Sequence, residues 1–490
     1  MSVTEKLDIN DLKKKAAKGG ALTMSSRLLT VIIQIASIVI LSRLLNPIDF
    51  GLVAMVTAIT SFMGIFRDMG LSTAVIQKKD IHYNQINTLF WLNTAIGAAL
   101  TCLTIALAPM IAKFYQRPEL QAVVMLLATT FVIASVGAQH SALLQRDLNL
   151  KAKVIADIVG AILTLIISIV MAYQGYGFWS LAWGMVIGAL VTTILYFKGS
   201  SFTPSRPQIV KGTGDLINFG ANVTLFEMLN YFHRNLDHVL IGRVWGPLVL
   251  GLYSRAYQLM MLPVSSLRDP INSIALPVLS RLQSDPESYK EYYKNIASLL
   301  AFLSMPLMAF LIANADNIIY VALGRGWESV TTLFVVLGIS GFIQAVASLR
   351  GLVLLSSGLS KKYALWGLVN TLTVCLGFAI GIQWGAEGVA WSYAVVNYVL
   401  LYPSLWYFFK GTHVEPVDFF IPILVPATAS IAAAIFSFLM MKNMMFEIVF
   451  VHILISGCLF LAIFLSLVLI LPGGLSTLKS FKNLLRAIKA

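Results

Sequence analysis

The stretch LSRLLNPIDFGL at residues 41–52 recurs in altered form as IGRVWGPLVLGL at residues 241–252. Four identities lie at an offset of 200 residues: Arg43 and Arg243, Pro47 and Pro247, Gly51 and Gly251, and Leu52 and Leu252. Further matches follow at offsets of 201 and 212: Arg67-Asp68 with Arg268-Asp269, and Trp179-Ser180 with Trp391-Ser392. A series that drifts slowly in this way predicts an internal repeat with insertions in its second copy.

The composition around the repeat is that of a membrane protein. Hydrophobic residues make up 58% of the 490 residues, charged residues only 12%, and the mean hydropathy is +0.82. Soluble domains carry about 25% charged residues, so water is not the main solvent of this surface. The basic N-terminus leads into an apolar run too long for a signal peptide, which predicts an uncleaved first span.

A transmembrane helix needs roughly 20 mainly apolar residues. That criterion predicts spans at 22–44, 48–66, 86–112, 118–143, 152–173, 177–197, 216–241, 247–267, 294–319, 329–355, 362–383, 387–409, 419–441 and 446–471. Alternation with a period of two is absent, which argues against a transmembrane β-barrel. The predicted fold class is an all-α integral membrane protein with about fourteen transmembrane helices.

The distribution of positive charge orients these spans. With both termini in the cytoplasm, and with residues at the ends of spans counted in the adjoining segment, 25 of the 35 Lys and Arg fall in inward segments, six lie outside and four lie within spans. This bias follows the positive-inside rule and predicts a multi-pass protein of the bacterial inner membrane. The net charge of +13 is thereby explained without nucleic acid as a partner.

The repeat offset covers six spans, an even number, so both copies have the same orientation. Such parallel repeats are related by an axis along the membrane normal, and substrates tend to bind between them. The predicted domains are a basic cytoplasmic segment, an N-lobe, a cytoplasmic linker, a C-lobe, a further pair of spans and a basic cytoplasmic tail. Their bounds are 1–21, 22–197, 198–215, 216–410, 411–472 and 473–490.

Catalysis is not indicated. The longest breaks between spans, near 198–215 and 277–293, are too short for a soluble catalytic domain. A Walker phosphate loop, a dinucleotide-binding glycine motif and an HExxH metal motif are all absent from the sequence. These observations favour a transporter over an enzyme.

A polar stripe appears when the repeat is superposed on the spans. Arg27, Thr30, Gln34 and Ser37 fall within about 80° of arc on one face of the first span. The positions 200 residues later are Glu227, Asn230, Arg234 and Asp237. Matching stripes on two helices predict that both line a water-filled cleft, because a charge at the bilayer centre costs about 2.5–3.5 kcal/mol.

Arg255 and Arg350, each the sole arginine of its span, complete the candidate site. The excess of arginine over carboxylate indicates an anionic substrate such as a phosphate. We therefore assign substrate binding to Arg27, Gln34, Asn230, Arg234, Arg255 and Arg350. Two alternatives stay open: Arg27 snorkels to the interface, and Arg234 pairs with Asp237.

The two carboxylates of the stripe have a separate predicted role. Glu227 and Asp237 are candidates for coupling transport to H⁺ or Na⁺, since a buried carboxylate readily shifts its pKa. We expect no cofactor and no metal centre.

Several segments resemble a known family. LSRLLNPIDFGLVAMV at 41–56, RNLDHVLIGRVWGPLVLGLYSRAYQLMMLP at 234–263, ALPVLSRLQSD at 275–285 and LGRGW at 323–327 resemble the bacterial polysaccharide transporter family. Its members are Wzx-type flippases, and this chain is similar to the colanic acid exporters among them. The resemblance implies the multidrug/oligosaccharidyl-lipid/polysaccharide superfamily, with two six-helix lobes, alternating access, and a last helix pair like that of some lipid flippases.

The same resemblance implies a substrate and partners. The substrate would be an undecaprenyl-diphosphate-linked oligosaccharide repeat unit, flipped from the cytoplasmic to the periplasmic leaflet for exopolysaccharide or lipopolysaccharide synthesis. A polysaccharide polymerase and export machinery would be partners. One alternative is a cation-coupled multidrug antiporter of the superfamily, against which the arginine excess argues. Another is a membrane-embedded polymerase or glycosyltransferase, which typically needs a larger extramembrane segment.

Overall fold

The computed structural model describes residues 9–78, 81–207, 214–442, 444, 448–472 and 474; for residues 9–24, 214–227, 229, 230 and 233 it describes the backbone alone. The described residues form α-helices without a β-strand. In the first half they are α1 Ile9–Leu44, α2 Pro47–Asp68, α3 Leu71–Gln77, α4 Tyr83–Tyr115, α5 Leu120–Arg146, α6 Leu150–Tyr173 and α7 Phe178–Gly199. α8 Gly214–Arg281 follows. The rest are α9 Pro286–Ala313, α10 Ala315–Leu323, α11 Val330–Ala347, α12 Leu349–Ser356, α13 Ser360–Gly381, α14 Gly385–Val399, α15 Leu401–Phe409, α16 Pro416–Met441 and α17 Val449–Ile470.

These helices confirm the predicted all-α membrane fold. Eleven helical segments of the described chain are long and apolar enough to cross a bilayer. One of them, residues 360–409, covers two predicted spans. The long helix α8 also covers two predicted spans, and Gly246, with a φ of 80°, interrupts it between them. The protein is thus a multi-pass membrane protein, and the count of fourteen spans stays a prediction.

The helices group into two compact units, residues 1–251 and 252–490. In the first unit α4 packs on α5, α6 packs on α7, and α1 lies against α6. In the second unit α9 packs on α11 and α16, and α13 packs on α14. The repeat-based domain bounds remain a prediction, since this grouping follows contacts and not sequence similarity.

Small residues allow α6 and α7 to approach closely. A Cβ atom placed on Gly160 would lie 1.8 Å from Thr192 Oγ1, and one placed on Gly188 would lie 1.9 Å from Thr164 Oγ1. Lipid offers helices no hydrophobic drive to associate, so close backbone packing of Gly, Ser and Thr supplies van der Waals contact instead. Small residues also allow α16 to pack on α9, where Ala429 and Ala433 lie against Ala309.

The matched motifs of the repeat contact each other within the first unit. A Cβ atom placed on Gly51 would lie 1.8 Å from the carbonyl oxygen of Pro247, and one on Gly251 would lie 1.9 Å from that of Pro47. The contact is reciprocal, as a two-fold relation between the two motifs would produce. Only glycine permits this approach of the two backbones.

The described start of the predicted linker is fixed to α4. Asn87 Nδ2 donates to the carbonyl of Arg206 at 2.9 Å, and the Ser205 amide donates to Asn87 Oδ1 at 2.9 Å. Trp91 Nε1 donates to the Ser205 carbonyl at 2.7 Å, and Phe202 is buried among residues of α4 and α5. Residues 202–206 therefore belong structurally to the first unit.

Candidate functional site

The polar stripe of the first span lies on α1 and is partly exposed. Arg27 and Gln34 are exposed, whereas Thr30 and Ser37 are half-buried. Thr30 Oγ1 donates to the Ser26 carbonyl at 2.9 Å, so this hydroxyl is satisfied within its own helix. The exposure of Arg27 and Gln34 agrees with a position in a cleft and with a position at the membrane interface. The binding role of both residues therefore stays a prediction.

The second stripe lies on α8 and is described in part. The side chains of Glu227 and Asn230 lie outside the described residues. Arg234 is exposed and Asp237 is buried, with 2% of its surface accessible. Asp237 Oδ1 accepts from the His238 amide at 2.8 Å and lies 2.9 Å from His238 Nδ1. The described contacts thus join Asp237 to His238, and the pairing of Arg234 with Asp237 stays a prediction.

Arg255 lies further along α8, in the second unit, and is almost fully buried at 8% exposure. Its Nη1 donates to Gln258 Oε1 at 2.6 Å, one helical turn away. A buried guanidinium must keep most of its donors occupied, because an unpaired buried charge is costly. Gln258 orients the guanidinium from the same helix.

Arg350, also in the second unit, lies at the start of α12. Its Nη1 donates to Ser404 Oγ of α15 at 2.8 Å. Ser404 is fully buried, so this hydrogen bond ties two helices together in the interior. Arg350 therefore makes a structural contact between two helices. Its role in substrate binding stays a prediction.

One of the two Arg-Asp pairs that mark the repeat places its aspartate, Asp68, in a polar cluster of the first unit. Asp68 ends α2 and accepts hydrogen bonds from Ser72 Oγ at 2.5 Å and from Asn93 Nδ2 at 3.3 Å. In the second unit the matching pair is joined directly, with Arg268 Nη2 2.8 Å from Asp269 Oδ1. The offset of 201 residues was the signal that marked both positions.

Polar side chains between α4 and α5 were missed by the sequence analysis. Gln139 is fully buried, and within the described residues neither its Oε1 nor its Nε2 has a hydrogen-bond partner. Ser135 Oγ and Asn93 Oδ1 are buried and unpaired in the same sense. Each lies inside an apolar run, so nothing in the local pattern separates it from a core position.

The loop that carries the LGRGW motif is shaped by its glycines. Gly324 and Gly326 have φ values of 90° and 88°, which favour glycine, and Trp327 between α10 and α11 is buried. The Gly326 amide donates to Glu328 Oε1 at 3.0 Å, and this hydrogen bond holds the pKa of that carboxyl below its usual range. The motif therefore specifies a turn anchored by tryptophan.

Comparison with known proteins agrees with the resemblance seen in the sequence. Residues 40–332, more than half of the chain, match the model of a family described as polysaccharide biosynthesis protein. The chain is 29% identical over 430 residues to the teichuronic acid biosynthesis protein TuaB of Bacillus subtilis, covering 87% of this chain and 89% of that protein. It is 23% identical over 395 residues to the lipopolysaccharide biosynthesis protein WzxC of Escherichia coli, covering 79% and 80%.

The fold has a solved counterpart. The structure of the lipid II flippase MurJ in an inward closed conformation superposes with a TM-score of 0.76, at 12% identity, over 92% of this chain and 98% of that one. This likeness shows that the two chains share a fold. The extent of the family match decides membership: this chain belongs to the polysaccharide biosynthesis protein family.

Proposed function

We propose that this protein flips an oligosaccharide repeat unit linked to undecaprenyl diphosphate from the cytoplasmic to the periplasmic leaflet by alternating access. The observation that carries the proposal is family membership across residues 40–332. Curated relatives support it, since two are named for teichuronic acid and lipopolysaccharide biosynthesis. The fold shared with a lipid flippase supports the same class of cargo.

The intramembrane arginines are the chemical support for a diphosphate. Arg255 presents a guanidinium that Gln258 already orients, and Arg27 and Arg234 are exposed on α1 and α8. A guanidinium group can donate two parallel hydrogen bonds to two oxygens of one phosphate, and it keeps its charge when it is desolvated. Cationic drugs would meet repulsion from these groups, which disfavours the drug antiporter as the alternative.

The cellular setting belongs to the same proposal. We place the protein in the bacterial inner membrane with both termini in the cytoplasm, because the Lys and Arg of its predicted loops concentrate on one side. A polysaccharide polymerase and export machinery would take over the flipped repeat unit.

Energy coupling is proposed through Asp237, with Glu227 as its predicted companion on the same face of α8. Asp237 is buried, and its Oδ1 lies 2.9 Å from His238 Nδ1. A pH or Na⁺ gradient imposed across vesicles should accelerate flipping by the wild-type protein and not by the Asp237→Asn variant. Equal acceleration of both would rule Asp237 out.

The experiment that tests the function is flipping in reconstituted vesicles. Purified protein is incorporated with an undecaprenyl-diphosphate oligosaccharide that carries a fluorescent sugar, and an impermeant quencher reports the fraction in the outer leaflet. Protein-containing vesicles should expose the inner-leaflet pool within minutes, and protein-free vesicles should not. A matched lipid whose diphosphate is replaced by a neutral ether tests the role of the arginines.

A flipping rate equal to that of protein-free vesicles would overturn the proposal, provided that a cooperative thermal unfolding transition shows the purified protein to be folded. Sugar-bond formation by the purified protein would instead revive the enzyme alternative.

A further inference from the structure

A cavity of about 420 Å³ lies at the turn between α13 and α14 in the second unit. It is lined by Trp384, Glu387, Gly388, Trp391, Ser392 and Val395. None of these residues belongs to the predicted transport site. The volume falls within the range of small-ligand sites, about 300–1,000 Å³.

The turn that builds the cavity is tightly constrained. A 3-10 turn, Ile382–Trp384, follows α13, and Gly385 then starts α14 with a φ of 76°. The backbones of Gly381 and Gly388 touch, since a Cβ atom on Gly388 would lie 2.2 Å from the Gly381 carbonyl oxygen. Ser392 Oγ donates to the Gly388 carbonyl at 2.8 Å and completes the packing. The cavity wall is therefore preorganised.

The side chains of the cavity follow from helical periodicity. Glu387, Trp391 and Val395 are spaced four residues apart and form one stripe on α14. Trp384 projects from the 3-10 turn that precedes the helix. The two indoles are 66% and 50% exposed, for Trp384 and Trp391 respectively, so their faces are available to a ligand.

The charge of the lining selects the ligand. Glu387 is the single charged residue among the six that line the cavity in the described chain, and no described ion pair neutralises it. An anionic ligand would be repelled by this carboxylate. An ammonium group would be attracted both by the carboxylate and by the indole faces, because tryptophan is the strongest aromatic partner in cation–π interactions.

The surroundings of the cavity identify the source of the ammonium group. On the same helices, Leu376, Ile380 and Val399 are each more than half exposed, at 64%, 58% and 65%. In a membrane protein such a surface faces acyl chains. The predicted topology places the 382–386 turn at the membrane interface opposite the termini, where tryptophan is favoured. The cavity thus opens where an amphiphile of the bilayer exposes its headgroup.

We propose that this cavity binds the ammonium headgroup of a zwitterionic aminophospholipid of the surrounding bilayer. Glu387 accepts the hydrogen bonds of the ammonium group, the two indoles cover its faces, and Val395 contacts the lipid chain below. The first copy of the repeat lacks this arrangement, because the residues 212 positions earlier are Ala172, Gly175 and Trp179. Of the three, only the tryptophan is shared, so the site belongs to the second copy.

The test is lipid retention by the full-length protein in detergent, measured by native mass spectrometry with phosphatidylethanolamine and phosphatidylglycerol at equal concentration. The wild type should retain phosphatidylethanolamine with a preference of about tenfold. Glu387→Gln and Trp391→Ala should each reduce that preference to near unity. Trp179→Ala is the matched control and should retain the wild-type preference. Glu387→Lys should favour phosphatidylglycerol.

One arm uses the unaltered protein, so that misfolding of a variant cannot decide the outcome. N-acetylation of phosphatidylethanolamine removes its positive charge and should abolish the preference. Equal retention of both lipids by the wild type, or unchanged retention by Glu387→Gln, would overturn the proposal. Displacement of the lipid by a soluble neutral oligosaccharide would also overturn it and identify a sugar site. None of these measurements depends on transport.

Discussion

At the residue scale, the intramembrane arginines differ in their environments. Arg27 and Arg234 are exposed, whereas Arg255 is 8% exposed and hydrogen bonded to Gln258. Arg350 is bonded to a buried serine of another helix. A guanidinium that is already desolvated and oriented loses less on binding an anion than one that is still hydrated. Arg255 is therefore the arginine whose removal should affect flipping most.

Replacement of Arg255 should slow flipping without unfolding the protein. We expect Arg255→Ala to reduce the initial rate at least about tenfold, because a charge-assisted hydrogen bond contributes about 1.5–3 kcal/mol. Arg255→Lys should retain an intermediate rate, since lysine keeps the charge and loses the planar fork. The readout is the quencher assay on vesicles with equal protein content.

The control is Arg281→Ala, which removes an exposed arginine at the end of α8 and should leave the rate unchanged. A wild-type rate for folded Arg255→Ala would remove Arg255 from the transport site.

Gln139 gives a prediction about stability. Its amide is fully buried and has no hydrogen-bond partner among the described residues. Replacing an unpaired buried polar group by an apolar one of similar shape recovers a desolvation cost of about 1–3 kcal/mol. We expect Gln139→Leu to raise the melting temperature in detergent. Gln258→Leu, which removes one hydrogen-bond partner of Arg255, should lower it.

A fall in melting temperature for Gln139→Leu would show that its amide has a partner in the solubilised protein. A rise in stability together with slower flipping would assign the amide a role in another conformation of the transport cycle.

At the element scale, the reciprocal contact between α2 and the second part of α8 depends on two glycines. Gly51 and Gly251 each lie against the carbonyl of the opposite proline, within 2 Å of where a Cβ atom would be. Carbonyl groups of a helix backbone cannot rotate away as a side chain can. The shared residues of the repeat motif are thus explained by packing, independent of any role in binding.

Gly51→Ala and Gly251→Ala should therefore both be destabilising. Forcing an extra methyl into a packed contact costs about 1–3 kcal/mol, and here it also separates two helices. We expect a lower melting temperature and slower flipping for each variant. Gly64→Ala is the matched control within α2, because its Cβ atom would lie 3.8 Å from a phenylalanine ring, an ordinary contact.

If Gly51→Ala and Gly64→Ala melt at the same temperature, the close crossing is not present in the detergent-solubilised protein.

Element types were predictable, but their interruptions were not. The apolar runs predicted helices where the structure has them. The apolar runs did not predict the short helices α3 and α10, or the breaks between α11 and α12 and between α14 and α15. A span is recognised by its mean hydropathy, which is insensitive to a local change of direction. The break at Gly246 was the exception, since it falls in the gap between the predicted spans 216–241 and 247–267.

At the whole-molecule scale, the distribution of basic residues predicts the orientation in the membrane. The loop between α6 and α7 should lie outside, and the one between α8 and α9 should face the cytoplasm. In a background with Cys102, Cys375 and Cys458 replaced by serine, Gln174→Cys should react with an impermeant maleimide in intact spheroplasts. Ser284→Cys should react only after permeabilisation.

Both positions are exposed, so unequal labelling would reflect their side of the membrane. The reverse pattern would invert the topology and, with it, the direction proposed for transport.

Three properties can be read from the amino-acid sequence without a structure: the location in a lipid bilayer, the all-α fold class and the resemblance to a family. Composition and run length identify a helical membrane protein because the bilayer requires every backbone polar group to be satisfied within a helix. Local motifs such as NPIDFGL and LGRGW carry the family resemblance. Charge type within the spans indicates an anionic cargo, since that inference needs only the sign of the groups.

The burial of the polar side chains and the identity of their hydrogen-bond partners became known only from the three-dimensional structure. It separated Arg255 from Arg27, joined Asp237 to His238, and revealed the unpaired amide of Gln139 and the cavity beside Glu387. Helical periodicity predicts the face of the helix on which a residue lies, but it does not predict which other helices pack against that face. Burial and hydrogen bonding depend on helices distant in sequence, and no local pattern encodes them.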